Sequence, residues 1–274
     1  MKHLTLTSFT LATAALLGAC GSDEPDRAGD AATVQLADYS ITMPDTIAGP
    51  LVDLKITNDG EKAHELGIAQ LEPGTTLEEA AAFVHAGGEQ DELLIDDPGG
   101  TALIGAGATL GYTRALAPGT YVFFCSLPAP GGANHSQNGM IKMFTVTDSN
   151  ADADDNEPPK ADFTVALEDE SVVVPTLTAG THVIAVTNSG TRPHELSIGG
   201  VPSDADLSKG AEIVEWIENG QDGPAPLPVD FPGGIKSIEP GVTVALTVTL
   251  KAGHTYLFSD NTGDEEVVTF VEIP

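Results

Sequence analysis

The chain has 274 residues, which at roughly 150 residues per domain corresponds to about two domains. Its 41 acidic residues against 11 basic ones give a net charge of −30, and without a basic patch to neutralise phosphates nucleic acid is excluded as a partner. An apolar fraction of 41% supports a packed core, 30 Gly and 19 Pro favour turn-rich β structure, and two Cys cannot build a disulfide framework.

The first element in chain order is a leader. Residues 1–19 start Met-Lys-His and continue as an uncharged apolar run, the pattern of a secretory signal and too short to favour a permanent span. The run ends Leu17-Gly18-Ala19-Cys20, which resembles the bacterial lipoprotein box. That resemblance implies cleavage before Cys20, lipidation of its thiol, and an exported protein anchored on the periplasmic or outer cell surface. Residues 20–30 then read as a flexible, polar tether. Loss of Lys2 leaves 10 basic and 41 acidic residues, or −31. Cys125 becomes a lone thiol in an oxidising compartment, either buried or bound to something.

An internal repeat follows. Ile56-Thr57-Asn58-Asp59-Gly60 with His64-Glu65-Leu66 returns 130 residues later as Val186-Thr187-Asn188-Ser189-Gly190 with His194-Glu195-Leu196. Residues 118–123 return more loosely as 253–258. Strands are expected over 34–41, 51–57, 109–114, 120–125 and 140–147 in the first copy, and over 163–167, 182–187, 242–250 and 267–273 in the second. Helical spacing is expected over 76–85 and 207–218. The acidic stretch 148–160, ending Pro158-Pro159-Lys160, reads as a linker between domains 31–147 and 161–274. Short strands punctuated by Gly and Pro make the fold class all-β, as two tandem Greek-key β-sandwiches each with a short helical insert.

The first copy alone carries a set of soft and imidazole donors: His64 upstream, then Cys125, His135 and Met140 around a Pro/Gly loop. Two His, one Cys and a weak axial Met form the ligand set of a mononuclear blue-copper site. Together with Asn58-x-Gly60, Pro118-Gly119-Thr120-Tyr121 and His135-x4-Met140, the first copy resembles the cupredoxins, in particular plastocyanin and pseudoazurin. Carried over position by position, the resemblance makes His64, Cys125, His135 and Met140 the ligands of one type 1 copper, and one-electron transfer the activity. One feature departs from the family: nine residues separate Cys125 from His135, where the family keeps two or four. The loop must bulge and return for a cage to form. Met143, deeper in the following strand, reads as core.

In the second copy, aligning Thr255-Tyr256 with Thr120-Tyr121 puts Asp260 where Cys125 stands, and no His or Met follows. This copy is a degenerate domain without a copper site, and His194 there satisfies hydrogen bonds. His85 reads as a helix-end or solvent-facing residue, and His182 and His254 have no assigned role. Copper nitrite reductases and multicopper oxidases need further His ligands, and no His-x-His pair occurs. No nucleophile elbow, dinucleotide fingerprint or P-loop is present. The expectation is therefore a protein that is not an enzyme. Two other classes remain open beside electron transfer: a metal-free binding scaffold, and copper capture and delivery through the same ligands. The acidic surface serves solubility, or steers the protein toward a basic redox partner such as a cytochrome.

Overall fold

The computed structural model describes residues 31–88, 92–148, 157–263 and 266–274. The leader, Cys20, the tether to residue 30 and linker residues 149–156 lie outside these. Among the described residues no helix is long and apolar enough to cross a membrane.

The first sandwich is built from β1 (Ala32–Ala37), β2 (Ser40–Thr42), β3 (Thr46–Gly49), β4 (Leu51–Asn58), β5 (His64–Leu71), α1 (Leu77–His85), β6 (Leu94–Ile104), β7 (Thr109–Ala115), β8 (Gly119–Phe124) and β9 (Ile141–Asp148). The second is built from β10 (Phe163–Glu168), β11 (Ser171–Val173), β12 (Gly180–Asn188), β13 (His194–Pro202), α2 (Gly210–Glu218), β14 (Asp230–Ile238), β15 (Thr243–Leu250), β16 (His254–Asp260) and β17 (Val267–Ile273). The chain is all-β in two repeated halves, as its periodicity implies. The helical insert expected over 207–218 divides into a 3₁₀ turn, Leu207–Lys209, and α2.

Local chemistry explains most elements. β1 alternates buried and exposed residues, the period-2 pattern of a strand with one face in a core. α1 starts at a capping box: Thr76 accepts from the Glu79 amide while the Glu79 carboxylate accepts from Thr76 N–H at 2.9 Å. The strand expected over 34–41 is interrupted: Asp38 and Tyr39 turn the chain between β1 and β2, with Tyr39 at φ +66°. β5 is buried along its whole length because one face meets the sandwich core and the other meets α1 through Ala69, Leu71, Ala80 and Phe83. A strand covered on both faces has no alternation to read, which is why pattern alone misses it.

Two sheets run through both halves. One has the order β11-β10-β12-β15-β7-β4-β1-β2, the other β17-β16-β13-β14-β6-β5-β8-β9-β3. Equivalent strands meet antiparallel at the junction, β7 with β15 (Tyr112 opposite Leu246) and β6 with β14 (Gly100 opposite Lys236). Backbones approach closely there: a Cβ on Gly99, which sits at φ +82°, would collide with the Lys236 carbonyl. The core is continuous, with Ile104, Leu110 and Tyr112 of the first half in one cluster with Ile235 and Leu246 of the second.

Candidate metal centre

The path to the first ligand begins with Asn58. Its side chain donates to Lys62 O and Ile104 O, both at 2.8 Å, and accepts from Gly60 N–H at 2.9 Å. These bonds shape the turn that delivers His64 to the start of β5. Gly60 is required because a Cβ there would collide with Asp38 Oδ1 and crowd His64 Nε2. Asn188 repeats the arrangement with Arg192 O, Ile238 O and Gly190 N–H, so the repeated Asn-x-Gly motif encodes this turn in both halves.

Cys125 follows β8 and is fully buried, as are His64 and His135. His64 Nδ1 and His135 Nδ1 lie 3.0 Å apart, and Cys125 Sγ is 3.4 Å from His135 Nδ1. All three donor atoms lie within 4.8 Å of one another. Met140 is buried in the same core, its carbonyl accepting from Cys125 N–H at 3.1 Å and its N–H donating to His135 O at 3.0 Å. Met143 instead packs with Phe124 and Ile141 against the cluster beneath α1.

The long loop does not lengthen the cage. His135 N–H donates to Leu127 O at 2.8 Å and Ser136 N–H donates to Cys125 O at 2.9 Å, closing the chain at the ligands. Between them, Pro128 bridges Asn134, Ala129 N–H donates to Ala133 O, and the chain reverses through Gly131 and Gly132 at φ +96° and +93°. The extra residues form a side hairpin whose ends coincide. A 3₁₀ turn, Ser136–Asn138, then returns the chain through Gly139 at φ +111° to Met140 and β9.

The donor chemistry fits a soft metal. Asp38 Oδ1 lies 3.3 Å from His64 Nε2, so its carboxylate holds the ring hydrogen there and leaves the Nδ1 lone pair facing the cage. Tyr39 stands edge-on to His135, ring centroids 5.0 Å apart, and His135 Nε2 is buried without a hydrogen-bond partner. Burial, with His64 and Lys62 adding to it, pushes His135 down to about 4. Burial likewise lowers His64, although Asp38 opposes it. Burial and then the Glu65 charge push the Cys125 thiol up to about 12, against the Glu65 and Leu127 backbone amides facing it. The group is thus two neutral imidazoles and a thiol crowded into one dry pocket. A cation that takes both lone pairs and displaces the thiol proton resolves that crowding.

The second half answers the same geometry differently. β13 pairs Ser197 with Ser259 as β5 pairs Gly67 with Phe124, so Asp260 occupies the place of Cys125. His194 Nδ1 meets Asp260 Oδ2, and His194 Nε2 lies 3.2 Å from Asp169 Oδ1, Asp169 standing where Asp38 stands in the first half. Burial raises Asp260, but the bonds from Thr262 and His194 outweigh it and hold its carboxyl below the usual range. Bonds from the Thr191 amide and hydroxyl, then from His194, take Asp169 down to about 2. The other described histidines lie elsewhere. His85 ends α1, His182 bonds Thr178 O at 2.8 Å, and His254 bonds Ala252 O at 3.0 Å. Unanticipated by the motif reading are Asp38 and Tyr39 against the two imidazoles, Gln221 bonded to the Ala63 backbone, and Lys236 paired with Glu65 at 2.8 Å. The recurrence of Asp38 as Asp169 and of Pro98-Gly99-Gly100 as Pro232-Gly233-Gly234 is the signal that could have exposed the shared turn and the junction.

No family model and no curated protein matches the chain. Among solved structures, reduced auracyanin from the photosynthetic bacterium Roseiflexus castenholzii matches at 22% identity, covering 42% of this chain and 94% of that one, with a TM-score of 0.30. Auracyanin B matches at 26% identity over 42% of this chain and 86% of its own, with a TM-score of 0.29. A laccase-like multicopper oxidase from Ochrobactrum sp. matches at 14% identity over 91% of this chain and 62% of that one, with a TM-score of 0.27. The expectation that this chain is not an enzyme is corrected by the last of these. The matches that span 88% to 91% of the chain are multicopper oxidases and laccases, at 12% to 14% identity. At these scores the likeness concerns fold. Topology and repeat make the chain two tandem β-sandwiches, with a buried His-Cys-His group in the first alone among the described residues.

Proposed function

We propose that this chain is an exported, membrane-anchored type 1 copper protein that carries single electrons. The metal is held in the first sandwich by His64, Cys125, His135 and Met140. The observation that carries this reading is the convergence of three buried donor atoms within 4.8 Å. Copper bound there would supply a centre that alternates between its +1 and +2 states, the thiolate and thioether suiting the first and the imidazoles both. The chain's own contribution is rigidity and dryness. Asp38 orients His64, Tyr39 covers His135, and the closed loop keeps Cys125 and His135 in one place, so little has to move when charge changes. Burial of the ligands favours electron transfer over copper delivery, which needs an accessible, mobile ligand.

The anchor would be lipid on Cys20, with residues 20–30 as tether and 148–160 joining domain 31–147 to the metal-free domain 161–274. With a net charge of −30, the natural partner is a basic redox protein such as a cytochrome, and association would slow as salt rises. The experiment is the visible spectrum after adding Cu(II), beside Cys125→Ser. An intense thiolate-to-copper band, absent in the variant, is the expected result. Copper that leaves on desalting without ever giving a band would sink this reading and leave a metal-free scaffold.

A further inference from the structure

The second sandwich has no ligand set of its own, yet its residues reach the cage of the first. α2 ends in a Schellman-type turn: Gly220 N–H donates to Ile217 O at 3.0 Å and Gln221 N–H to Trp216 O at 2.8 Å. This places Gly220 at φ +79° and Gln221, not a glycine, at φ +55°. Gln221 is buried. Its amide brackets the residue before the first ligand, Oε1 accepting from Ala63 N–H at 2.6 Å and Nε2 donating to Ala63 O at 2.9 Å. Ala63 is buried and precedes the first ladder pair of β5, His64 with Ile104, so the side chain of residue 221 does for Ala63 what a neighbouring strand does for His64.

Two further contacts come from the same turn. Lys62 Nζ donates to Gly220 O at 3.1 Å and to Gln221 O at 3.0 Å, a cation on the carbonyl end of a helix. Gly220 lies so close to Ala129 and Pro130 that a Cβ there would collide with their backbone. Ala129 and Pro130 belong to the hairpin between Cys125 and His135. One turn of the second half therefore grips the arm leading to His64 and seats the loop carrying the other ligands. The clasp runs one way. Residue 193, which stands in the second half where Ala63 stands in the first, is Pro and has no N–H to offer.

We propose that this turn, with Gln221 as its positioning residue, holds the metal cage of the first sandwich in register. This rests on the metal-binding reading above. The second sandwich then acts as the fixed jaw of the site rather than as a spacer. Strain at a left-handed Gln is tolerated because the turn, the Ala63 clasp and the Lys62 cap all determine it together.

The test uses the full chain and Gln221→Gly, which deletes the amide and accepts φ +55° without strain, with Gln221→Glu keeping the acceptor for Ala63 N–H. We expect Gln221→Gly to weaken Cu(II) binding about 10- to 100-fold and to alter the thiolate-to-copper band, with Gln221→Glu recovering part of both. A second readout needs no metal. Alkylation of Cys125 by iodoacetamide, followed on its peptide by mass spectrometry, should speed up about tenfold in Gln221→Gly while the far-ultraviolet dichroism keeps its β signature. Parent-like affinity, band and alkylation rate in a folded Gln221→Gly would overturn the proposal. Should that variant lose its β signature, Gln221→Glu is judged by the same readouts, a parent-like result again overturning it. A parent without any copper band defeats the copper reading alone, and the alkylation rates still decide the clasp.

Discussion

The two halves share one turn and one histidine and end in opposite chemistry. In the first, Asp38 backs His64 and the space beyond holds a thiol and a second imidazole, with His135 Nε2 left without a partner. In the second, Asp169 backs His194 and Asp260 fills that space, itself accepting from Thr262 N–H at 3.0 Å and Glu195 N–H at 3.3 Å. One scaffold thus carries a group of crowded neutral donors, which we propose a cation completes, and a group completed by its own carboxylates. A buried charge network whose members are paired has no lone pair to spare, whereas crowded neutral donors have several.

The largest effect should come from exchanging the residues that distinguish the halves. Cys125→Ser should abolish the copper band entirely. Asp260→Cys should add no second band, because no His or Met follows Tyr256 in that half; optical titration of the variant against the parent checks this. Next, Asp260→Ala leaves His194 facing an empty buried site and should cost about 3–5 kcal/mol of stability in denaturant unfolding. Its metal spectrum should remain that of the parent, and a changed spectrum would show the two centres to be coupled. Asp38→Ala should weaken copper binding about 10- to 100-fold by freeing the His64 ring, against no change for Asp169→Ala, both read by competition with a chelator.

The smallest effect is a difference in pH response. The folded value of His135, about 4, lies below its ordinary value near 6.5, so the stability that the neutral ring supports is complete above pH 6.5 and is lost as pH falls toward 4. Asp169 is depressed to about 2, so its contribution is complete above its ordinary 3.8 and is lost only as pH falls from there toward 2. Metal-free protein should therefore lose melting temperature in two acid stages, and His135→Gln should shrink the first, the lowered His64 keeping the remainder, and leave the second unchanged.

Much of this was legible in residue order. Asn58-x-Gly60, His64, Cys125, His135 and Met140 specify a turn and a donor set, and their reduced return in the second half marks it as altered. α1 announced itself through Leu77, Ala80, Ala81 and Val84 at helical spacing, and the structure adds the capping box of Thr76 and Glu79 at its start. β5 and β6 were less legible. β5 is covered on both faces, and β6 contains the Pro98-Gly99-Gly100 run that reads as a break but serves the close approach of β14. Tyr39 and Asp38 were hidden inside an expected strand, since a left-handed turn at a non-glycine leaves little trace in composition.

By itself the sequence determined the repeated β-sandwich, which half carries the soft donors, and the replacement of Cys125 by Asp260, because strand alternation, helical spacing and ligand identity are written in neighbouring residues. Only the tertiary structure decided that the nine-residue loop closes on itself and brings Cys125 and His135 within 3.4 Å. It alone decided, too, that both sheets continue through the two halves and that Gln221 reaches Ala63 from 158 positions away. Such contacts arise when the packing of whole sheets brings distant backbones together, and nothing in the local pattern on either side needs to record the meeting.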